Sequence, residues 1–184
     1  MFPTYALKTV VELVRLLEPY LTMKKIVLIL IFVSLLLGND SRADDWTTRE
    51  DSHFGYSYSY FRELFAEIDG ERPSFHYFQS PKTEAKFLAG AWDNEKGENP
   101  GDFKQWMLTH ADGYEDVTYE PRGRSWFVVS GYRGDQIYYE KVIFSCSGRI
   151  VNILAIAYPE ARRELFDPIV ERMEDHFKGG RRCD

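Results

Sequence analysis

The chain has 184 residues, 44% of them hydrophobic and 28% charged, with 23 Lys and Arg set against 29 Asp and Glu for a net charge of −6. That balance excludes the usual electrostatic basis for holding nucleic acid or an anionic membrane surface, which is a dense patch of Lys and Arg.

The N-terminal region carries three features in the order that a secretion channel and its peptidase read them. Lys24 and Lys25 supply the positive start. Ile26 to Leu37 follow without a charge and with Ser34 as the one polar side chain, and Ser41-Arg42-Ala43 places small residues at the cleavage positions. Residues 23–43 therefore read as a signal peptide, and the product as periplasmic or secreted. The apolar run is far shorter than the roughly 20 residues of a spanning helix, so no stable membrane span is expected after cleavage. Residues 1–22 precede Met23 and read as an extension from an upstream start. The alternative is an amphipathic segment, because Val10, Leu13, Val14, Leu17 and Leu21 fall at helical spacing. Neither cysteine lies near the cleavage region, which excludes a lipid-modified N-terminal cysteine. Removing residues 1–43, with five basic and three acidic side chains, leaves 141 residues with 18 basic and 26 acidic, a net charge of −8. That length supports one good core.

Within the mature chain, residues 44–52 are polar and read as a disordered lead-in, ahead of a single globular domain over 53–178 and a tail over 179–184. Phe54, Tyr56, Tyr58 and Tyr60 alternate with Gly55, Ser57 and Ser59, the period of a half-buried strand. Phe61 to Ile68 reads as a short helical turn closed by Asp69-Gly70. Phe75 to Phe78 and Lys86 to Ala91 read as strands joined through Ser80-Pro81-Lys82-Thr83. Asp93 to Gly101 reads as an exposed loop, after which Asp102 caps a helix with Phe103, Trp106 and Met107 as its apolar stripe. The helix ends near His110, and a strand begins at Asp116.

Ser125 to Tyr158 reads as three strands joined at Arg133-Gly134-Asp135 and at Ser147-Gly148. In that register Trp126, Val128, Tyr138, Val142, Phe144, Val151, Ile153 and Ala155 share one face. Phe127, Val129, Ile137, Tyr139, Ile143, Ile150, Leu154 and Ile156 share the other. Both faces are apolar, so both need covering, and a sandwich with helices on both sides of a mainly antiparallel sheet meets the need. In the last helix Asp167 is the expected cap, Pro168 the first helical residue, and Ile169, Val170, Met173 and Phe177 the inward face.

Trp126-Phe127-Val128-Val129-Ser130-Gly131, Tyr138-Tyr139-Glu140-Lys141 and Phe166-Asp167-Pro168-Ile169-Val170, with the strand order around them, resemble the PsbP-like superfamily and a group of small exported alpha-proteobacterial proteins. The resemblance implies an α+β fold, a DcrB-type α/β/α sandwich, that serves as a binding or assembly module and not as an enzyme. It carries no catalytic motif, and a fold does not determine a function.

Candidate chemistry is sparse. No Gly-x-Ser-x-Gly occurs, and Ser130 lies mid-strand beside Tyr138, so a hydrolase is the weakest reading. His110, Asp112, Glu115 and Asp116 cluster after the first helix without the spacing of an EF-hand or a zinc motif, and no metal or cofactor is expected. His53, His76 and His176 are scattered. Glu140 stands out, because a lone carboxylate on an apolar strand face is costly unless paired. With Tyr138 and Tyr58 it marks either a structural polar network or a ligand site. Lys141 interrupts the opposite face, where its long stem reaches water. Tyr56, Tyr60, Tyr77 and Tyr139 extend the aromatic set that could line a cleft.

Two binding readings follow. A protein partner in the envelope would call for an exposed apolar patch without convergent polar groups; a small molecule or metal would call for a concave pocket holding Glu140 or tyrosines. An exported chain with two cysteines points to a disulfide between Cys146 and Cys183, with a buried Cys146 and a tail cysteine pairing between molecules as the alternative. Cleavage after Ala43 predicts Asp44 as the mature N-terminus. N-terminal sequencing of the exported protein checks this, and an intact leader on a membrane-embedded product would sink it.

Overall fold

Apolar side chains on both faces make the strands after residue 125 the sheet's interior, and a computed structural model of the chain shows how they pair. It describes residues 45–70, 72–111, 113, 114 and 116–183, so the expected signal peptide, the expected extension before it and the expected cleavage site lie outside the described residues. In chain order the elements are β1 (Trp46–Glu50), β2 (Ser57–Phe61), β3 (Ala66–Ile68), β4 (Phe75–Gln79), β5 (Lys86–Asp93), α1 (Pro100–His110), β6 (Asp116–Tyr119), β7 (Trp126–Arg133), β8 (Gln136–Ser145), β9 (Ile150–Pro159) and α2 (Arg163–His176). Seven strands form one sheet in the order β3-β4-β5-β9-β8-β7-β6, and β1 pairs with β2 separately. Every neighbouring pair is antiparallel. The fold is thus the expected α+β sandwich. β9, buried between β5 and β8, is the central strand.

The expected register of β7 is off by one residue. Arg133 pairs with Gln136, leaving Gly134 and Asp135 as a two-residue loop with φ 64° at Gly134. A three-residue loop would have placed Trp126 and Val128 with Tyr138; the shorter one puts Phe127 and Val129 there instead, because side chains alternate strictly. On this face Phe127, Val129, Val142, Phe144 and Val151 are buried under Phe103 and Met107 of α1. The opposite face of the sheet contributes Phe78, Phe87, Ala89, Leu154 and Ile156 to the larger core, where Tyr56, Tyr58 and Tyr60 of the β1–β2 hairpin and Phe166, Val170 and Met173 of α2 cover them. One outer layer is therefore α1 alone, and the other is α2 with a hairpin beside it.

Four further expectations give way to the structure. The stretch expected as a disordered lead-in contains β1, whose Trp46 to Glu50 pair with Phe61 to Ser57; a polar strand is tolerated because the hairpin's outer side faces water. Ala66–Ile68 is an edge strand against β4 and not part of a helical turn. Asn99, and not Asp102, caps α1, its Oδ1 accepting from the Gly101 and Asp102 amides, while Trp106 stays 44% exposed. In α2, Pro168 lies inside the helix, which begins at Arg163 because the turn Glu160–Arg162 runs directly into it. The Asp167 carboxylate accepts from Tyr158 Oη at 2.8 Å and Arg163 Nε at 3.0 Å, which ties the helix to β9.

The tail is also ordered. Ser57 and Lys178 exchange backbone hydrogen bonds of 3.1 and 2.8 Å, and the Gly180 amide donates at 2.8 Å to Oδ1 of Asn152, a fully buried side chain on β9. Asn152 Nδ2 donates in turn to the Ile143 carbonyl and Ser145 Oγ. Cys146 and Cys183 form a disulfide, with Cα atoms 5.3 Å apart and 37 positions of separation. A loop of that size constrains the unfolded chain by about 3–4 kcal/mol. Replacing both cysteines by serine should lower unfolding stability by about that amount, read from urea melts. A loss below about 1 kcal/mol would mean that the tail's hydrogen bonds hold it unaided.

Candidate functional site

Because α1 has 11 residues and packs over β7 and β8, it leaves part of its face of the sheet uncovered. The exposed part is a groove of about 820 Å³ between α1 and the strands β4 and β5. Pairing places Phe75 opposite Gly90 and Leu88 opposite Ala155, so alternate residues of β4, β5 and β9 make its floor. Phe75 lies across Gly90, where any side chain would strike its ring, and Phe75 stacks at 5.9 Å on Trp92. Trp92 continues to Phe103 and Phe103 to Trp106, so an aromatic row runs from the sheet onto the helix.

Glu140 closes this groove at the middle of β8, opposite Val129 and Ala155. Tyr114, on the loop after α1, donates to Glu140 Oε2 at 2.6 Å and sets its ring edge-on to Tyr138 at 5.4 Å. Among the described residues this is the one hydrogen bond that the carboxylate receives. Arg133 donates to the Gly113 carbonyl and lies over the rings of Tyr114 and Tyr138. It lines a second depression, of about 220 Å³, on the other side of Glu140 with Tyr77 and Tyr138. Burial raises the Glu140 pKa above the ordinary carboxylate range, and the Tyr114 hydrogen bond and the Arg133 charge oppose that rise. Burial, together with the neighbouring carboxylate, likewise raises the Tyr114 phenol.

Of the residues singled out in the sequence, Glu140 and Tyr138 meet at this site and Tyr58 does not. Tyr58 is fully buried on the opposite face, bonded through Oη to His76 Nδ1 at 2.8 Å. His76 faces Asp51 at 3.9 Å, and Tyr56 Oη donates to the Ser74 and Ala89 carbonyls, so these groups fasten the hairpin to the sheet. Burial lowers the His76 pKa, with Arg49 adding to the effect. Tyr139 also lies on that face, where Lys141 reaches Glu174 of α2 at 3.0 Å. Ser130 stands opposite Tyr139 and donates to the Tyr138 carbonyl at 2.7 Å. His110 is exposed and stacks on Trp106. Its expected neighbours Asp112 and Glu115 lie outside the described residues, and no group of three potential metal ligands occurs among those described. The sequence reading missed Tyr114; its only signal was an aromatic residue in an otherwise polar loop.

No family model matches the chain, and no curated protein matches it in sequence. The fold is similar to that of cyanobacterial PsbP (CyanoP) from Synechocystis sp. PCC 6803, with a TM-score of 0.55 and 10% identity over 77% of this chain and 96% of that one. It is also similar to the Ran-binding protein Mog1p of Saccharomyces cerevisiae, with a TM-score of 0.53 and 9% identity over 73% and 95% of the two chains. The chain therefore has a PsbP-like fold. No helix among the described residues is long and apolar enough to cross a membrane.

The raised Glu140 pKa means that the folded state holds this proton more tightly than the unfolded chain does. Stability from this group is then greatest at low pH and falls as pH rises above the ordinary carboxylate range. Glu140→Gln, which keeps an acceptor for Tyr114, should melt at a higher temperature than the native protein at neutral pH, and the gain should close toward about pH 4. Equal melting temperatures across that range would contradict a costly buried carboxylate.

Proposed function

We propose that this chain is an exported, non-enzymatic binding module that works in the bacterial envelope or outside the cell, and that its working element is the groove beside α1. The observation that carries the reading is the convergence of Glu140 and Tyr114, joined by a hydrogen bond of 2.6 Å, on a concave, aromatic-walled cavity of about 820 Å³. Ligand sites have this size and this mixture of apolar wall and few polar groups. Of the two binding readings, an exposed apolar patch for a protein partner and a concave pocket for a ligand, the groove has the second geometry. The PsbP-like fold supports a binding role more broadly, since one protein that shares it is Ran-binding. Export is supported by the order of charge, apolar run and small residues in 23–43 and by the disulfide, which suits an oxidising compartment.

A thermal-shift screen against metabolites and metal ions tests the reading. A true ligand at a hundredfold excess over its Kd adds about 2.7 kcal/mol, which for a domain of this size is a rise of about 9 °C. Ile153→Trp, which fills the groove floor, should abolish the shift. Capture of an envelope protein through the groove with no small-molecule hit would reverse the choice between ligand and protein partner, and a shift untouched by Ile153→Trp would remove the groove from the account.

A further inference from the structure

The groove is charged unevenly. Asp93, Glu95 and Glu98 stand on its rim and Glu140 at its floor, against Arg72 and Lys96. Arg72 is already engaged, its guanidinium 5.6 Å over the Phe75 ring. Arg133, whose charge acts on Glu140, lines the smaller depression and not the groove. Neither of the groove's own cations, Arg72 or Lys96, is among the charges that act on the Glu140 carboxylate.

Resting on the reading of the groove as a ligand site, we infer that its occupant is a small molecule with an aromatic body and a primary ammonium group, the ammonium seated on Glu140 and the body against Phe75, Trp92 and Trp106. A carboxylate is an acceptor only, so it repels an anionic ligand and rewards a donor. A charged donor gives a hydrogen bond about twice as strong as a neutral one. Aromatic faces add attraction for the same cation, through the negative potential of their π systems. Tyr114 occupies Oε2, which leaves Oε1 as the acceptor for the ligand. A neutral alcohol of the same shape donates only an uncharged, weaker hydrogen bond to the carboxylate, and an ionised carboxylic acid is repelled by it.

Tryptamine, tryptophol and indolepropionate share one body and differ in this terminal group, and their titration into isotope-labelled protein, followed by NMR, separates the possibilities. Tryptamine should shift the indole N–H resonances of Trp92 and Trp106 and bind about tenfold more tightly than the other two, the margin expected of one charge-assisted hydrogen bond. In Glu140→Gln the preference should vanish. In the native protein the titration midpoint of the Glu140 carboxyl should fall when tryptamine is bound, a readout that does not depend on the variant folding. Equal binding of all three in the groove would overturn the ammonium class while leaving the groove a ligand site. A preference that survives in Glu140→Gln, or a midpoint that does not move, would overturn the role of the carboxylate. No binding of any of the three at these tryptophans would overturn the class and count against the groove as a small-molecule site.

Discussion

A sheet that is apolar on both faces has to be covered twice, and this chain covers its two faces unequally. On one side α2 and the β1–β2 hairpin lie together over β5, β9 and β8, enclosing Tyr56, Tyr58, Phe166 and Met173 so completely that none is measurably open to water. On the other, α1 buries Phe103 and Met107 over β7 and β8 and stops short of β4. Hydrophobic burial is roughly proportional to area removed from water, so the uncovered strip is a standing cost that a ligand or partner would relieve. The groove is thus a direct consequence of how much helix the chain allots to each face.

Glu140 belongs to the same constraint. On the covered half of its face, beneath Phe103, a carboxylate would be cut off from any partner; at the boundary it keeps Tyr114 and the field of Arg133. Gly131, across from Tyr138, leaves room for the edge strand, since a side chain there would collide with the Asp116 carbonyl. Lys141, the neighbour of Glu140 in sequence, resolves the same problem on the opposite face differently, through Glu174 and the Trp126 ring.

The strands were legible where a strong pattern met a clear break: β4, β5 and β7 to β9 follow from apolar runs between turn residues, and the pairing of β7, β8 and β9 follows from their order. Facing was legible for β8 and β9 and misread for β7, because a run such as Trp126 to Val129 is apolar at every position and only the loop length tells the two faces apart. β1 was invisible for the converse reason: Trp46 to Glu50 has almost no apolar signal, and what holds it is backbone pairing to β2. Glu140 announced itself as a charge in an apolar run and Tyr138 by its place beside it. Tyr58 was drawn to the wrong group by its residue type, since a tyrosine suits a binding cleft and a buried hydrogen-bonded core equally well. Which tyrosine serves which role is decided by contacts more than a dozen residues apart in sequence, as between Tyr58 and His76 or Tyr114 and Glu140.

The segment after α2 has a kinetic meaning. Lys178 pairs with Ser57, the Arg181 amide donates to the Phe54 carbonyl, and Arg182 reaches the Ser52 carbonyl and Glu50, so residues from the far end of the sequence complete the edge of the hairpin near its beginning. β5 likewise waits for β9 across about sixty intervening residues. Contacts of such long range are slow to form, because loop closure is paid for before any of them rewards it. The hairpin can close on itself early, yet its seat on the sheet is finished only when the segment after α2 arrives. Assembly in this order makes the contacts between the segment after α2 and the hairpin among the last to form.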